Sequence, residues 1–125
     1  MPMTLTGIEH AFRCSWGADT CAPEDLSEWS PRNPARGQCG VTALVLQDFL
    51  GGELLRGEVL VAGARVDFHW WNLLGSVEVD LTREQFAPEE VVGPGEVVVR
   101  GPLRRMQAEY ELLRERVRAH LSSAC

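Results

Sequence analysis

The chain has 125 residues, 45% of them hydrophobic and 24% charged, with a formal net charge of −6. That composition excludes an intrinsically disordered chain and is enough for a core built without metal or disulfide staples. The negative balance argues against a nucleic-acid surface. The 12 basic residues are all arginine, which reads as genome composition rather than function.

Leu5, Ile8 and Phe12 recur at helical spacing and predict a first helix over 4–16. The stretch SWGADTCAPEDLSEWSPRNPARG reads as a long loop, of a length that is often functional. Gly40 to Leu50 then predicts a helix apolar nearly all round, which belongs inside the fold, with Gly51 and Gly52 stopping it. Three antiparallel strands are expected at 54–61, 65–73 and 77–81, joined by turns at 62–64 and at Gly75-Ser76. TREQ at 82–85 reads as a short helical turn and EVVVR at 96–100 as a fourth strand. A last helix is expected from Pro102, with Leu103, Met106, Tyr110, Leu113, Val117 and Leu121 as its stripe. The whole predicts one α+β domain over 1–125: a buried helix packed on an antiparallel sheet, plus a C-terminal helix.

The N-terminus lacks the pattern of a signal peptide, and no apolar run reaches membrane-spanning length. The expectation is a cytoplasmic protein with reduced thiols, no membrane contact, and a monomeric or weakly homodimeric state.

Three residues carry the chemistry that can be read here. Cys39 falls on the first turn of the buried helix. Unpaired N–H groups and the helix dipole at that end favour a thiolate and a developing oxyanion. His69 lies in the second predicted strand, where alternation puts Asp67, His69 and Trp71 on one face. A two-residue turn at Gly75-Ser76 sets Leu74 against Val77 and Trp71 against Asp80. His69 and Asp80 are then diagonal neighbours, with β-carbons roughly 5–8 Å apart. The set Cys39, His69 and Asp80 has the roles of nucleophile, base and orienting acceptor. Asn72 is an alternative orienter, although a regular strand points it away from the His69 face.

NPARGQCGVTALVLQDFLGGELL together with HWWNLLGSVEVDLTREQF resembles the YunG-like family of small bacterial proteins, over Trp29 to Phe86. More broadly, QCGVTAL is similar to the cysteine helix of bacteriocin-processing peptidases, and HWWN with VDLT is similar to the histidine and aspartate strands of transglutaminase-like folds. The resemblance implies a papain-like fold with Cys39 as nucleophile, His69 as base and Asp80 as orienter. It also implies Gln38 and the Cys39 backbone as oxyanion donors.

The expected function is a cysteine hydrolase or acyltransferase that acts on an amide or ester of a small molecule or peptide end through a thioester. Trp16, Trp29 and Trp71 are candidate walls of its cleft, and Arg32 and Arg36 candidate carboxylate binders. No cofactor or metal is expected: none of the four cysteines forms a C-x-x-C pair, and the spacings of a zinc site from Cys14, Cys21, Cys39 and His69 match no standard finger. Two competing readings are a non-catalytic binding module on the same scaffold and a redox sensor pairing Cys39 with Cys14 or Cys21.

Overall fold

The computed structural model describes residues 4–122. Cys125, expected as a frayed terminal thiol, lies outside them. Helix α1 spans Leu5–Ser15 and opens on Thr4, whose hydroxyl accepts from the Gly7 N–H at 3.0 Å, a side-chain cap for one of the orphan donors. Ile8, Ala11, Phe12 and Ser15 form its buried face. The segment that follows is wound into two short 3-10 turns, Ala18–Thr20 and Pro23–Asp25, before helix α2 spans Cys39–Leu50. The buried positions of α2 are Val41, Thr42, Ala43, Val45 and Leu46, an arc of about 200° at 3.6 residues per turn, so the helix is buried on little more than one side. Its end is set by Gly51, at φ 73°, whose N–H returns to the Gln47 carbonyl at 2.8 Å.

Strands β1 (Glu53–Val61), β2 (Ala64–Leu74) and β3 (Val77–Val79) follow, then the short β4 (Val91–Val92) and β5 (Glu96–Val98). The sheet is antiparallel, in the order β3-β2-β1-β4, with β5 also paired to β1. The β2–β3 register sets Leu74 against Val77, Leu73 against Glu78 and Asn72 against Val79, as the Gly75-Ser76 turn requires. The third strand is shorter than expected. It stops at Val79, because Asp80 turns its carboxylate onto the Thr82 N–H at 3.2 Å and draws the chain into a 3-10 turn at Arg83–Gln85. Strand β4 was not legible in the sequence, being only two residues long.

The architecture is therefore α+β. Helix α2 lies on β2 and β1, while α1 packs against the last helix, α3 (Gln107–Ser122). Phe12, Val45, Leu46, Leu113 and Val117, all fully buried, make the centre of the core between these layers. Each such side chain contributes about 1.5–3 kcal/mol over its exposed state. Helix α3 starts at Gln107 rather than Pro102. Arg100 ties the preceding non-helical segment to the body, reaching Asp48 at 2.7 Å and the Tyr110 hydroxyl at 3.1 Å. Met106, at φ 61°, then turns the chain into the helix, and Leu103 and Met106 still pack on the core.

Trp71 fixes how closely the strands approach on the other side of the sheet. A β-carbon on Gly57 would lie 2.7 Å from Trp71 Cη2 and 2.9 Å from the Gly93 carbonyl oxygen. One on Gly95 would lie 2.5 Å from Trp71 Cζ2. The indole lies across both glycines, so neither tolerates a methyl group without a shift. Gly57→Ala is expected to cost about 1–3 kcal/mol, the scale of overpacking in a tight site. A denaturant titration with unchanged midpoint would show that the backbone at Gly93 yields.

Candidate functional site

Strand β2 presents its side chains alternately. Asn72 faces α2 and donates to the Ala43 carbonyl at 2.9 Å, tying strand to helix. His69 and Trp71 occupy the alternate positions, and β2 pairs them with Gly57 and Leu55 of β1. On its other edge β2 is paired with β3 only from Asn72 to Leu74. The β2 backbone at Trp70 therefore lies beyond the end of β3. Cys39, the first residue of α2, lies near that edge, where the Trp70 backbone N–H favours its thiolate form.

His69 is fully buried. Its Nε2 meets Asp80 Oδ2 at 2.6 Å, the pair the strand register brings together. Its ring stacks on Trp71, with centroids 5.3 Å apart, and takes the Phe86 ring edge-on at 4.8 Å. Asp80 is held by four contacts. Oδ2 accepts from His69 and from Arg83 Nε, the latter also at 2.6 Å, and Oδ1 accepts from the Thr82 N–H and hydroxyl. Burial pushes the Asp80 carboxyl up, but His69 and Arg83 outweigh it and hold the group below its ordinary range. An ionised Asp80 only accepts, so the proton of that bond belongs to His69 Nε2. In a neutral imidazole Nδ1 then carries the lone pair. Nδ1 is buried and has no hydrogen-bond partner among the described residues.

Cys39 departs from the expectation of a lowered thiol pKa. The residue is partly exposed. Burial pushes the thiol up to about 12; the Trp70 N–H opposes this, and the carboxylates of Asp67, Asp80 and Asp25 add to it. At rest Cys39 is a thiol. Beside it, the start of α2 keeps open donors: no side chain caps its N–H groups, and a β-carbon on Gly40 would meet nothing within 4 Å.

The remaining candidates are placed as follows. The Gln38 side chain points back into the loop, where Nε2 donates to the Gly17 carbonyl at 3.0 Å and Oε1 accepts from the Thr20 hydroxyl at 2.8 Å. Trp16 lies in the core and donates to the Thr42 hydroxyl at 2.9 Å. Trp29 is half-buried and donates to the Pro34 carbonyl. Trp71 is buried and donates to Glu78 at 2.7 Å. Arg36 spends its guanidinium on the protein's own Glu28, Glu90 and Asp25, while Arg32 is exposed. Cys14 is exposed near His10. Cys21 is buried, with its thiol pushed up to about 11 by burial and then by Asp25 and Glu24. Two residues at the site had not been singled out in the sequence: Arg83 on Asp80 and Phe86 on His69. Arg83 stands three residues after Asp80, within reach across the turn, and that spacing was the available signal.

The site and fold define an α+β protein with a buried His–Asp pair at the edge of an antiparallel sheet, beside a cysteine that starts the central helix. The chain belongs to the YunG family: the family described as "YunG protein" matches residues 4–122. It is 33% identical over 119 residues to the Bacillus subtilis (strain 168) protein named "Uncharacterized protein YunG", covering 93% of each chain. No solved structure matches. Among the described residues no helix is long and apolar enough to cross a membrane, and no group of three or more His, Cys, Asp or Glu is placed to hold a metal ion.

Proposed function

We propose that this protein is a papain-like cysteine hydrolase or acyltransferase that works on an amide or ester of a small molecule or peptide end. The observation that carries the reading is His69: fully buried, committed through Nε2 to Asp80, and keeping an unpartnered Nδ1. A buried polar atom left unpaired costs about 1–3 kcal/mol, and such atoms call for a functional account. Proton transfer supplies one.

The resting thiol matches general-base chemistry rather than a stored thiolate. His69 Nδ1 takes the Cys39 proton as sulfur attacks the carbonyl carbon. The start of α2 offers N–H groups to the oxyanion. The C–N or C–O bond then breaks, the leaving group takes the proton from His69, and a thioester remains on Cys39. Water or another acceptor gives its proton to His69, attacks the thioester and releases the acyl group, and the sulfur regains its proton. Reduced thiols suit this chemistry to the cytoplasm.

The raised Cys39 thiol pKa favours one second reading, a binding module with no turnover. Its ligand would use the groove of about 460 Å³ between Glu28, Arg36, Phe86 and Glu90. One experiment separates the two. Alkylation of each cysteine by iodoacetamide is followed by mass spectrometry in the wild type and in His69→Ala, with exposed Cys14 as the control. Loss of the base is expected to slow Cys39 by about a hundredfold, the lower end of what a positioned acid–base group contributes, and to leave Cys14 unchanged. An equal Cys39 rate in both proteins would remove the enzyme reading.

A further inference from the structure

We infer that Arg83 is a positioning residue of this site, holding Asp80 so that the His69 proton stays on Nε2 and the lone pair on Nδ1. The inference rests on the reading of His69 as base. Its physical ground is a closed ring of four contacts. Arg83 Nε and His69 Nε2 both reach the same oxygen, Asp80 Oδ2, at 2.6 Å. The Arg83 guanidinium lies over the Trp71 ring, 5.1 Å from its centroid. Trp71 in turn stacks on the His69 ring, the two planes 21° apart. Each member touches the next, and Arg83 is the one that is half-exposed and free of the core.

This arrangement gives Arg83 a task that simple surface pairing does not need. A carboxylate with two fixed donors on one oxygen cannot turn that oxygen away from the imidazole without losing both. The charge-assisted bond from Arg83 therefore restrains Asp80 about its own side-chain torsion. The planar guanidinium, seated on the indole, enters from a fixed direction, which a flexible ammonium does not reproduce. Thr82 alone would hold Oδ1, at 3.2 and 3.5 Å, and would leave Oδ2 with the histidine as its single partner. Which nitrogen of a histidine carries the proton follows from the bond its partner makes. The mobility of Asp80 thus reaches Nδ1, the atom the proposed chemistry uses.

The readout is the pair of ring nitrogen signals of His69 in ¹⁵N spectra of the full chain, with exposed His10 and His120 as internal references. In the wild type the two signals are expected well apart, Nδ1 as bare nitrogen and Nε2 as N–H. In Arg83→Gln they are expected to move toward each other as the second tautomer gains population, with Cys39 alkylation slowed severalfold and the thermal midpoint little changed. Arg83→Lys, with the charge but not the fork, is expected to fall between. His69 signals in Arg83→Gln identical to wild type would overturn the inference and assign the whole restraint to Thr82. The two proposals fail separately. A His69→Ala protein that alkylates normally at Cys39 removes the enzyme reading, whereas the nitrogen spectra test the Arg83–Asp80–His69 coupling whatever Cys39 does.

Discussion

Gln38→Ala is expected to lower stability by about 2–4 kcal/mol, before any effect on reactivity at Cys39 is considered. The side chain is fully buried at the N-terminal boundary of α2. Its amide joins two backbone-distant points, the Gly17 carbonyl and the Thr20 hydroxyl, at 3.0 and 2.8 Å. Truncation removes both bonds, each worth about 0.5–1.5 kcal/mol, while the Thr20 hydroxyl keeps its bond to the Gly17 carbonyl at 3.0 Å. It also empties space under the loop, which adds a cavity cost. At this chain length about 4 °C of thermal midpoint accompanies each kcal/mol, so a fall of about 8–16 °C is the result to look for. A residue serving only as an oxyanion donor would behave otherwise: the midpoint would hold and reactivity alone would drop. An unchanged melt would return Gln38 to the oxyanion role that the resemblance implied.

That contrast shows what the sequence could and could not disclose. The diagonal pairing of His69 and Asp80 was legible because it depends on strand alternation and on one two-residue turn, both local. The setting of Cys39 was not. Its nearest charged sequence neighbours, Arg32 and Arg36, are cations and suggest a stabilised thiolate. In the fold Arg36 is neutralised by Asp25, Glu28 and Glu90, and the charges that act on the sulfur are Asp67, Asp80 and Asp25, brought in from three separate segments. Desolvation, the largest cause, then decides the sign over the Trp70 N–H. Trp71 was likewise readable as an aromatic on the His69 face. Its packing over Gly57 and Gly95 depends on β1 and the β4–β5 connection, which no pattern around residue 71 encodes. The beginning of α3 failed for a related reason. The apolar stripe from Leu103 is real, but Arg100 and Met106 deliver its first members as non-helical chain.

Asp80→Asn is expected to be the most informative change for both stability and chemistry, and its pH dependence has a definite sign. In the folded protein His69 and Arg83 outweigh burial and hold the Asp80 carboxyl below 3.8. Between that lowered value and the unfolded one, the unfolded chain binds more protons, so stability rises with pH. The contribution is fully present above about pH 4–5, beyond the unfolded carboxyl range, and is lost as pH falls through the folded value. Hydrogen bonds to a charged partner are worth about 1.5–3 kcal/mol each, and the side chain is only 12% exposed. The carboxamide would keep the shape of the carboxylate but present a neutral group to Arg83 and a donor where His69 needs an acceptor. The expected result is a loss of about 2–3 kcal/mol at pH 7 that shrinks steadily in urea titrations carried down to pH 3, because the wild type loses there what the variant never had. Asp19 and Glu24, whose carboxyls are also lowered by arginines, stay in both proteins and cancel from the difference. A gap between wild type and variant that stays constant from pH 7 to pH 3 would mean that packing, and not the charge on Asp80, holds the His69 corner together. Cys39 alkylation in the same variant reports the other half. If it slows at pH 7 while the fold persists, the change runs against the direct effect of the Asp80 charge, which raises the thiol pKa, and points to the proposed route through the imidazole that Asp80 holds at 2.6 Å.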